Sequence, residues 1–115
     1  MTIKSDLLAA LTPVLSNTWA IELPVQPIFP VIVFDLSSQA ENVWTLGADY
    51  DRHTVSVVLL TKTLAEIATL QPQIDAALMA MPGYMLDEER GDAPYEGDAS
   101  VYGFFSNHVI RYRTP

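Results

Sequence analysis

Apolar residues follow helical spacing in two separate stretches of the chain. In the first stretch they recur every three or four residues and form one stripe of a helix: Ile3, Leu7, Leu8, Leu11, Val14 and Leu15. Pro13 predicts that this helix bends, ends or restarts there, because proline and its preceding residue disfavour helical backbone. The second stretch starts at Thr63, which forms a capping-box pattern with Glu66, and continues to Met81. Pro72 predicts a kink or a late start within it.

Strand-like patterns account for most of the remaining chain. Val31 to Phe34 is an uninterrupted apolar run, which is typical of a strand that is covered on both faces. Arg52 to Lys62 alternates most clearly, and Val101 to Arg113 predicts a long terminal strand. Trp19 to Leu23 and Tyr84 to Leu86 predict two shorter strands.

Three stretches between these elements are predicted to be irregular. Prolines at positions 24, 27 and 30 favour an extended connector that lacks several amide donors. Ser37 to Asn42 is polar enough to be either a loop or a solvated strand end. The segment from Asp87 to Gly97 combines like charges with a proline and glycines, which predicts a mobile loop.

The order of these elements predicts the fold class. Strands and helices do not alternate regularly, so we expect an α+β fold: a mainly antiparallel β-sheet of four or five strands with two α-helices packed on one face. The 115 residues fit a single domain that spans positions 1–115. Apolar residues on the other face of the sheet would need a partner, and this predicts self-association.

Composition narrows the classes of function. Hydrophobic residues make up 50% of the chain and charged residues 17%, which is typical of a folded protein and not of a disordered one. The absence of cysteine excludes disulfides, a thiol nucleophile and cysteine-ligated metals. A net charge of −8 opposes binding to phosphate backbones and to anionic lipid. We therefore expect no specific nucleic-acid binding and no membrane association. No targeting signal is recognisable, so cytosolic synthesis is expected.

A search for catalytic residues finds none. His53 and His108 lie on predicted strands without a second ligand at metal-binding spacing, and isolated serines such as Ser106 lack the strand-turn-helix setting of a nucleophile. The five glycines are too scattered to form a phosphate-binding loop. We expect no enzyme activity, no cofactor and no metal. An α+β enzyme or ligand-binding module that uses either histidine or the acidic segment stays as the alternative.

The acidic segment is the main candidate for an interaction. Its four carboxylates, Asp87, Glu88, Glu89 and Asp92, lack the spacing of an EF-hand, which favours a solvated loop or a contact with a basic partner over a cation site. Two aromatic residues are also candidates for contact with a partner: Tyr84, just before this segment, and Trp44, after a polar stretch. The candidate partner contacts are Trp44, Tyr84, Asp87, Glu88, Glu89 and Arg90.

A family resemblance is carried by five consecutive patterns. These are the helix Leu7-Leu8-Ala9-Ala10-Leu11, the strand Pro30-Val31-Ile32-Val33-Phe34, the strand His53-Thr54-Val55-Ser56-Val57, the helix with Ala65, Ile67, Ile74, Ala77 and Leu78, and the terminal Arg111-Tyr112-Arg113 after an acidic segment. Over most of its length the chain thus resembles the tail terminator, or tail completion, proteins of long-tailed bacteriophages and prophages, including the minor tail protein U type.

The resemblance implies a structural role in the virion. Such proteins form a homo-oligomeric ring, commonly a hexamer, that stops polymerisation of the tail tube and joins it to the head-side connector. The implied partners are further copies of the chain, the tail tube protein and the connector protein, in the host cytoplasm during assembly and then in the tail or neck. DNA would pass through the ring, and an acidic lumen would not hold it. Another head-tail connector or neck protein is the alternative within virion assembly.

Overall fold

A computed structural model describes residues 3–20, 28–41, 50–93 and 100–113, and it contains two helices and five strands there. The elements are α1 (Ile3–Leu11), β1 (Thr18–Ala20), β2 (Val31–Glu41), β3 (Tyr50–Thr61), α2 (Leu64–Met79), β4 (Tyr84–Asp92) and β5 (Tyr102–Arg113). The strands form one sheet in the order β1-β2-β3-β5-β4. Only the β1 and β2 pair is parallel among these neighbours. The predicted α+β class is confirmed.

Both helices pack against the same face of the sheet and share one hydrophobic core with it. On that face Ile32 of β2 lies opposite Leu59 of β3, and Phe34 lies opposite Val57. The helices contribute apolar residues at three- and four-residue spacing. The buried members of this core are Ile3, Leu7 and Leu11 of α1, Ile74 and Leu78 of α2, Met81, and the strand residues Ile32, Phe34, Val55, Val57, Leu59 and Ile110. This core fixes the position of the helical layer.

The opposite, helix-free face is apolar at one end and mainly polar farther along, where Val109 of β5 is a buried apolar exception. At one end Val31, Leu60 and Val101 are buried together, and Phe29 and Val58 pack against them. Farther along, the same face carries polar residues that are partly or fully exposed: Asp35, Ser37, Thr54, Ser56 and Asn107. Within the described residues this face is not a continuous apolar surface. The sequence indicated self-association because an apolar face of the sheet would be left uncovered. The described residues do not form such a face, so this reason for self-association does not hold.

The two helices differ in their relation to proline: α1 ends before Pro13, whereas α2 contains Pro72. Helix α1 ends at Leu11, and Thr12 closes its last turn through a backbone hydrogen bond of 2.9 Å to the carbonyl of Leu8. Helix α2 begins at its predicted cap, where the Glu66 amide donates to the Thr63 hydroxyl over 3.3 Å, but it runs through Pro72 as one helix. Pro72 has no amide hydrogen to donate to the Ala68 carbonyl, and both residues are exposed, so water can donate to that carbonyl instead.

The charged segment after Tyr84 is a strand and not a loop. Strand β4 continues to Asp92 and pairs with β5 along its length, so the prediction of a loop beginning at Asp87 is wrong. Most side chains of β4 are exposed because it is the last strand of the sheet. Charges cost little at such an edge, and they discourage pairing with other chains.

Several sequence predictions fall outside the described residues. These include Trp44, the end of the predicted strand from Trp19, most of the proline connector, and the part of the predicted mobile loop from Pro94 to Gly97. Within the described ranges, neither helix has the length and apolar character needed to cross a membrane.

Candidate interaction site at the β4 edge

Strand β4 presents two different surfaces, one toward helix α2 and one toward solvent. Five of the six candidate partner contacts lie on this strand, and Trp44 lies outside the described residues. Tyr84 is opposite Ile110, Asp87 is opposite His108 and Arg90 is opposite Ser106, all on the face that the helices cover. These three residues therefore serve contacts within the chain.

Arg90 connects the edge strand to helix α2. Its guanidinium donates to Asp75 of α2 over 3.0 and 3.5 Å and to Asp87 over 2.9 Å. The side chain of Arg90 is 36% exposed and that of Asp75 is 23% exposed, so solvent screens the pair only in part. These contacts occupy the one positive charge of β4.

Beneath the ion pairs, a buried polar cluster joins α2, β4 and β5. Nε2 of His108 lies 2.8 Å from the Ser106 hydroxyl, and Nδ1 lies 3.2 Å from the Tyr84 hydroxyl. Gln71 of α2 donates to the Ser106 hydroxyl over 3.2 Å and to Asp75 over 3.2 Å. Each hydroxyl can donate or accept, so the cluster satisfies either neutral form of the His108 ring. The Gln71 carbonyl oxygen is buried without a partner.

The surroundings shift three pKa values in this cluster. Burial lowers the pKa of His108, and the nearby Asp75 offsets this only in part. Burial, with the carboxylates of Asp87 and Asp75, raises the pKa of the Tyr84 hydroxyl. The hydrogen bond to Asp75 raises the pKa of Arg90. At neutral pH the cluster thus holds a neutral histidine, a neutral phenol and a charged guanidinium.

Ser106, His108 and Asp75 do not have the geometry of a catalytic triad. In a triad, the carboxylate and the serine face opposite nitrogens of the imidazole. Here the Asp75 carboxylate is 3.9 Å from Nε2, the same nitrogen that faces Ser106. Both Ser106 and His108 are fully buried, so a substrate has no access to them. The group acts as a structural link between α2 and the edge of the sheet.

The other histidine that was considered as a metal ligand is also packed inside the fold. His53 is buried on β3, opposite Ile110 of β5. The described residues contain no group of three or more histidine or carboxylate side chains that could hold a metal ion.

The solvent side of β4 combines charge with apolar surface. Glu88 and Glu89 are exposed, and Met85 and Leu86 are each 44% exposed. The pairing with β5 shifts twice, between Tyr84 and Leu86 and again between Asp87 and Arg90, so the two glutamates lie on a bulge. Bulges change the direction in which side chains point and interrupt an edge. Glu88, Glu89, Met85 and Leu86 are therefore the β4 residues that are free to meet a partner.

A second candidate surface lies between the two helices. An open groove of about 600 Å³ is lined mainly by small and apolar side chains, including Ala9 and Ala10 of α1 and Ala77 of α2. Small side chains on both helices leave this space on the outer side of the helical layer. The groove contains few polar groups and no described feature that identifies an occupant.

Comparisons with known proteins show a likeness of fold. No family profile matches the sequence, and a search of curated proteins finds no significant relative. A chain from a solved structure described as the virion of a native gene transfer agent particle superposes with a TM-score of 0.59 at 13% sequence identity. The match covers 92% of this chain and 86% of that chain. The two chains therefore share a fold over nearly their whole length.

Acid is expected to destabilise the protein through His108. Because the folded-state pKa lies below the ordinary value of about 6.5, the unfolded chain takes up a proton first as the pH falls. The stability that the neutral His108 ring contributes is fully present above about pH 6.5. It is lost as the pH falls from there to the lowered pKa, and the free energy of unfolding then decreases by at most about 1.4 kcal/mol per pH unit. Urea unfolding between pH 8 and pH 5 measures this slope.

His108→Gln is the matched variant for that measurement. Glutamine keeps one donor and one acceptor and does not titrate, so the difference between the two stability curves isolates the histidine from the carboxylates. Parallel curves for the two proteins from pH 7 to pH 5 would show that His108 does not carry the effect.

Proposed function

We propose that this protein is a structural component of a phage-type virion that forms a ring, ends the tail tube and joins it to the head-side connector. The observation that carries the proposal is the fold likeness, over 92% of this chain, to a chain of a gene transfer agent virion. The independent resemblance of the sequence to tail terminator proteins supports the same role. Together these favour a homo-oligomer, commonly hexameric in that family, with the tube protein and the connector as partners.

The candidate site is consistent with a binding role. Its polar centre is closed to substrates, whereas its outer side exposes two glutamates and two apolar side chains on one edge. Exposed apolar surface rimmed by charge is typical of a contact between proteins. A head-tail connector or other neck protein would share the ring and differ in the partner that it binds.

A pelleting assay with assembled tail tubes tests the proposal. A terminator binds only at tube ends, so the bound amount should follow the number of tubes and not their total mass. Shearing the tubes to half their length doubles the number of ends at constant mass, and we expect about twice as much bound protein after saturation of the ends.

Two results would contradict tail termination. Binding that stays constant after shearing would place the protein along the tube wall. Binding to purified connector without any binding to tubes would favour the neck protein instead. Bovine serum albumin at the same concentration controls for trapping in the pellet.

A further inference from the structure

We propose that, in the ring proposed above, the β1 edge of one copy packs against the β4 edge of the next copy through exposed apolar side chains. The β1 edge is defined by Trp19 and Ile28, and the β4 edge by Met85 and Leu86. The inference rests on the proposed function and names the two surfaces that meet. Every copy carries both surfaces, so it contributes a different one to each of its two neighbours.

The β1 edge holds an exposed aromatic side chain in a fixed position. Trp19 is 41% exposed and Ile28 is 77% exposed. The Trp19 indole donates to the side-chain oxygen of Asn17 over 2.7 Å, and the Asn17 amide donates to the carbonyls of Ile28 and Pro30. Asn17 thus joins the strand to the segment that carries Ile28. Large aromatic side chains that are already ordered suit a protein interface, because binding costs them little further entropy.

The β4 edge is the opposite boundary of the same sheet. Strands β1 and β4 are first and last in the strand order, so four strand spacings of roughly 4.8 Å, or about 19 Å, separate them. Trp19 lies opposite Val33, and Leu86 lies opposite Val109, so both belong to the helix-free face. Side chains do not bridge this distance within one chain. Neighbouring copies can bring the two edges together with their helix-free faces on the same side.

The distribution of charge favours a second copy as the occupant. Copies with a net charge of −8 repel each other, and Glu88 and Glu89 lie beside the apolar residues of the β4 edge. The described residues 12–20 and 28–34, which contain the β1 edge, include no charged side chain. The β4 edge can therefore approach the β1 edge of another copy without facing like charge there. The apolar side chains of both edges then lose contact with water, which stabilises the pair.

The shape of both edges indicates a contact through side chains. Strand β1 has only three residues and β4 is bulged, and both features oppose direct pairing of backbones. The row of paired residues from Trp19 reaches Phe105 on β5, four residues or about 13 Å from the partner of Leu86. A closed ring accommodates this offset when the strands are inclined to its axis. Contacts between two different surfaces of one chain are head-to-tail and close into rings when the rotation allows it.

An aspartate at each edge tests the contact. We expect Ile28→Asp and, separately, Met85→Asp to weaken self-association at least about tenfold, because each places a charge in an apolar contact. Both side chains are exposed in the single chain, so the fold should be retained, and circular dichroism checks this. Leu64→Asp is the matched control, since Leu64 is 63% exposed on α2 and belongs to neither edge. Native mass spectrometry gives the oligomer distribution.

A mixture of the two variants distinguishes a head-to-tail contact from a two-fold one. Ile28→Asp keeps an intact β4 edge, and Met85→Asp keeps an intact β1 edge. At a concentration where neither variant assembles alone, equal amounts should form one-to-one pairs and no larger species.

Cross-linking gives an independent measurement that introduces no charge. The chain has no cysteine, so a short bismaleimide should join Ile28→Cys to Met85→Cys in a mixture and join neither variant to itself. Ser37→Cys, at an exposed position of β2 away from both edges, replaces Ile28→Cys in the control and should not be joined to Met85→Cys.

Each other outcome overturns the inference in a recognisable way. Normal oligomers from both aspartate variants would remove this contact and leave the ring intact. Weak association with neither pairs in the mixture nor cross-links would show that the two edges do not meet. Normal oligomers combined with loss of tube binding in one variant would make the tail tube protein the occupant of that edge. Monomers of the unaltered protein at all concentrations, together with no binding to tubes, would overturn the proposed function as well.

Discussion

Replacement of Gly83 by alanine is expected to lower the free energy of unfolding by about 3 kcal/mol. Gly83 has a positive φ of 88°, which side chains other than glycine adopt only with strain. An added Cβ would also overlap the carbonyl oxygen of Arg111, which is backbone and cannot move aside alone. The Arg111 amide donates to the Gly83 carbonyl over 2.8 Å, so this turn joins the start of β4 to β5. Urea unfolding followed by tryptophan fluorescence measures the loss.

Gly91, within strand β4, provides the matched control for Gly83 in the turn before it. A Cβ at Gly91 would meet only the Phe105 ring, at 3.4 Å, which is an ordinary contact. Gly91→Ala should therefore change stability by about 0.5 kcal/mol or less. Equal losses in the two variants would show that the close approach at Gly83 is not what holds the edge strand.

Replacement of Leu78 by alanine is expected to cost about 2–5 kcal/mol. Leu78 is fully buried in the core between α2 and the sheet, so its removal loses apolar burial and leaves a cavity. The expected consequence is weaker attachment of the helical layer, which also positions Asp75 and Gln71 over β5. Chemical denaturation gives the size of the effect.

Leu64, on the same helix, is the control for Leu78. It is 63% exposed, and Leu64→Ala should stay within about 0.5 kcal/mol of the unaltered protein. A loss at position 64 as large as that at position 78 would contradict the assignment of the helix face that packs on the sheet.

The elements that could be predicted from sequence are those with a strong local period. The capped start of helix α2 and the alternation of strand β3 agree with their predictions, because capping at Thr63 and the spacing of Val55, Val57 and Leu59 are local signals. The late start at Pro72 that the sequence also allowed is wrong, since α2 is one helix from Leu64. Strand β4 could not be predicted beyond Leu86. Its pairing with β5 depends on a partner some twenty residues away, and its charged residues have no apolar alternation to reveal a strand.

The candidate site was partly predictable for a similar reason. The acidic segment was found from its composition, but the division into inward Tyr84, Asp87 and Arg90 and outward Glu88 and Glu89 depends on two bulges. The polar cluster joins Gln71 and Asp75 of α2 with Ser106 and His108 of β5. The i, i+4 and i, i+2 spacings within each pair were visible in the sequence, whereas their meeting depends on how α2 crosses the sheet.

Negative-stain imaging of the purified protein mixed with assembled tail tubes tests the central claim most directly. We predict rings of the free protein, and tubes that carry one such ring at an end, in a field where tubes alone have bare ends. Monomers that leave every tube end bare, at protein concentrations well above that of the ends, would contradict the account.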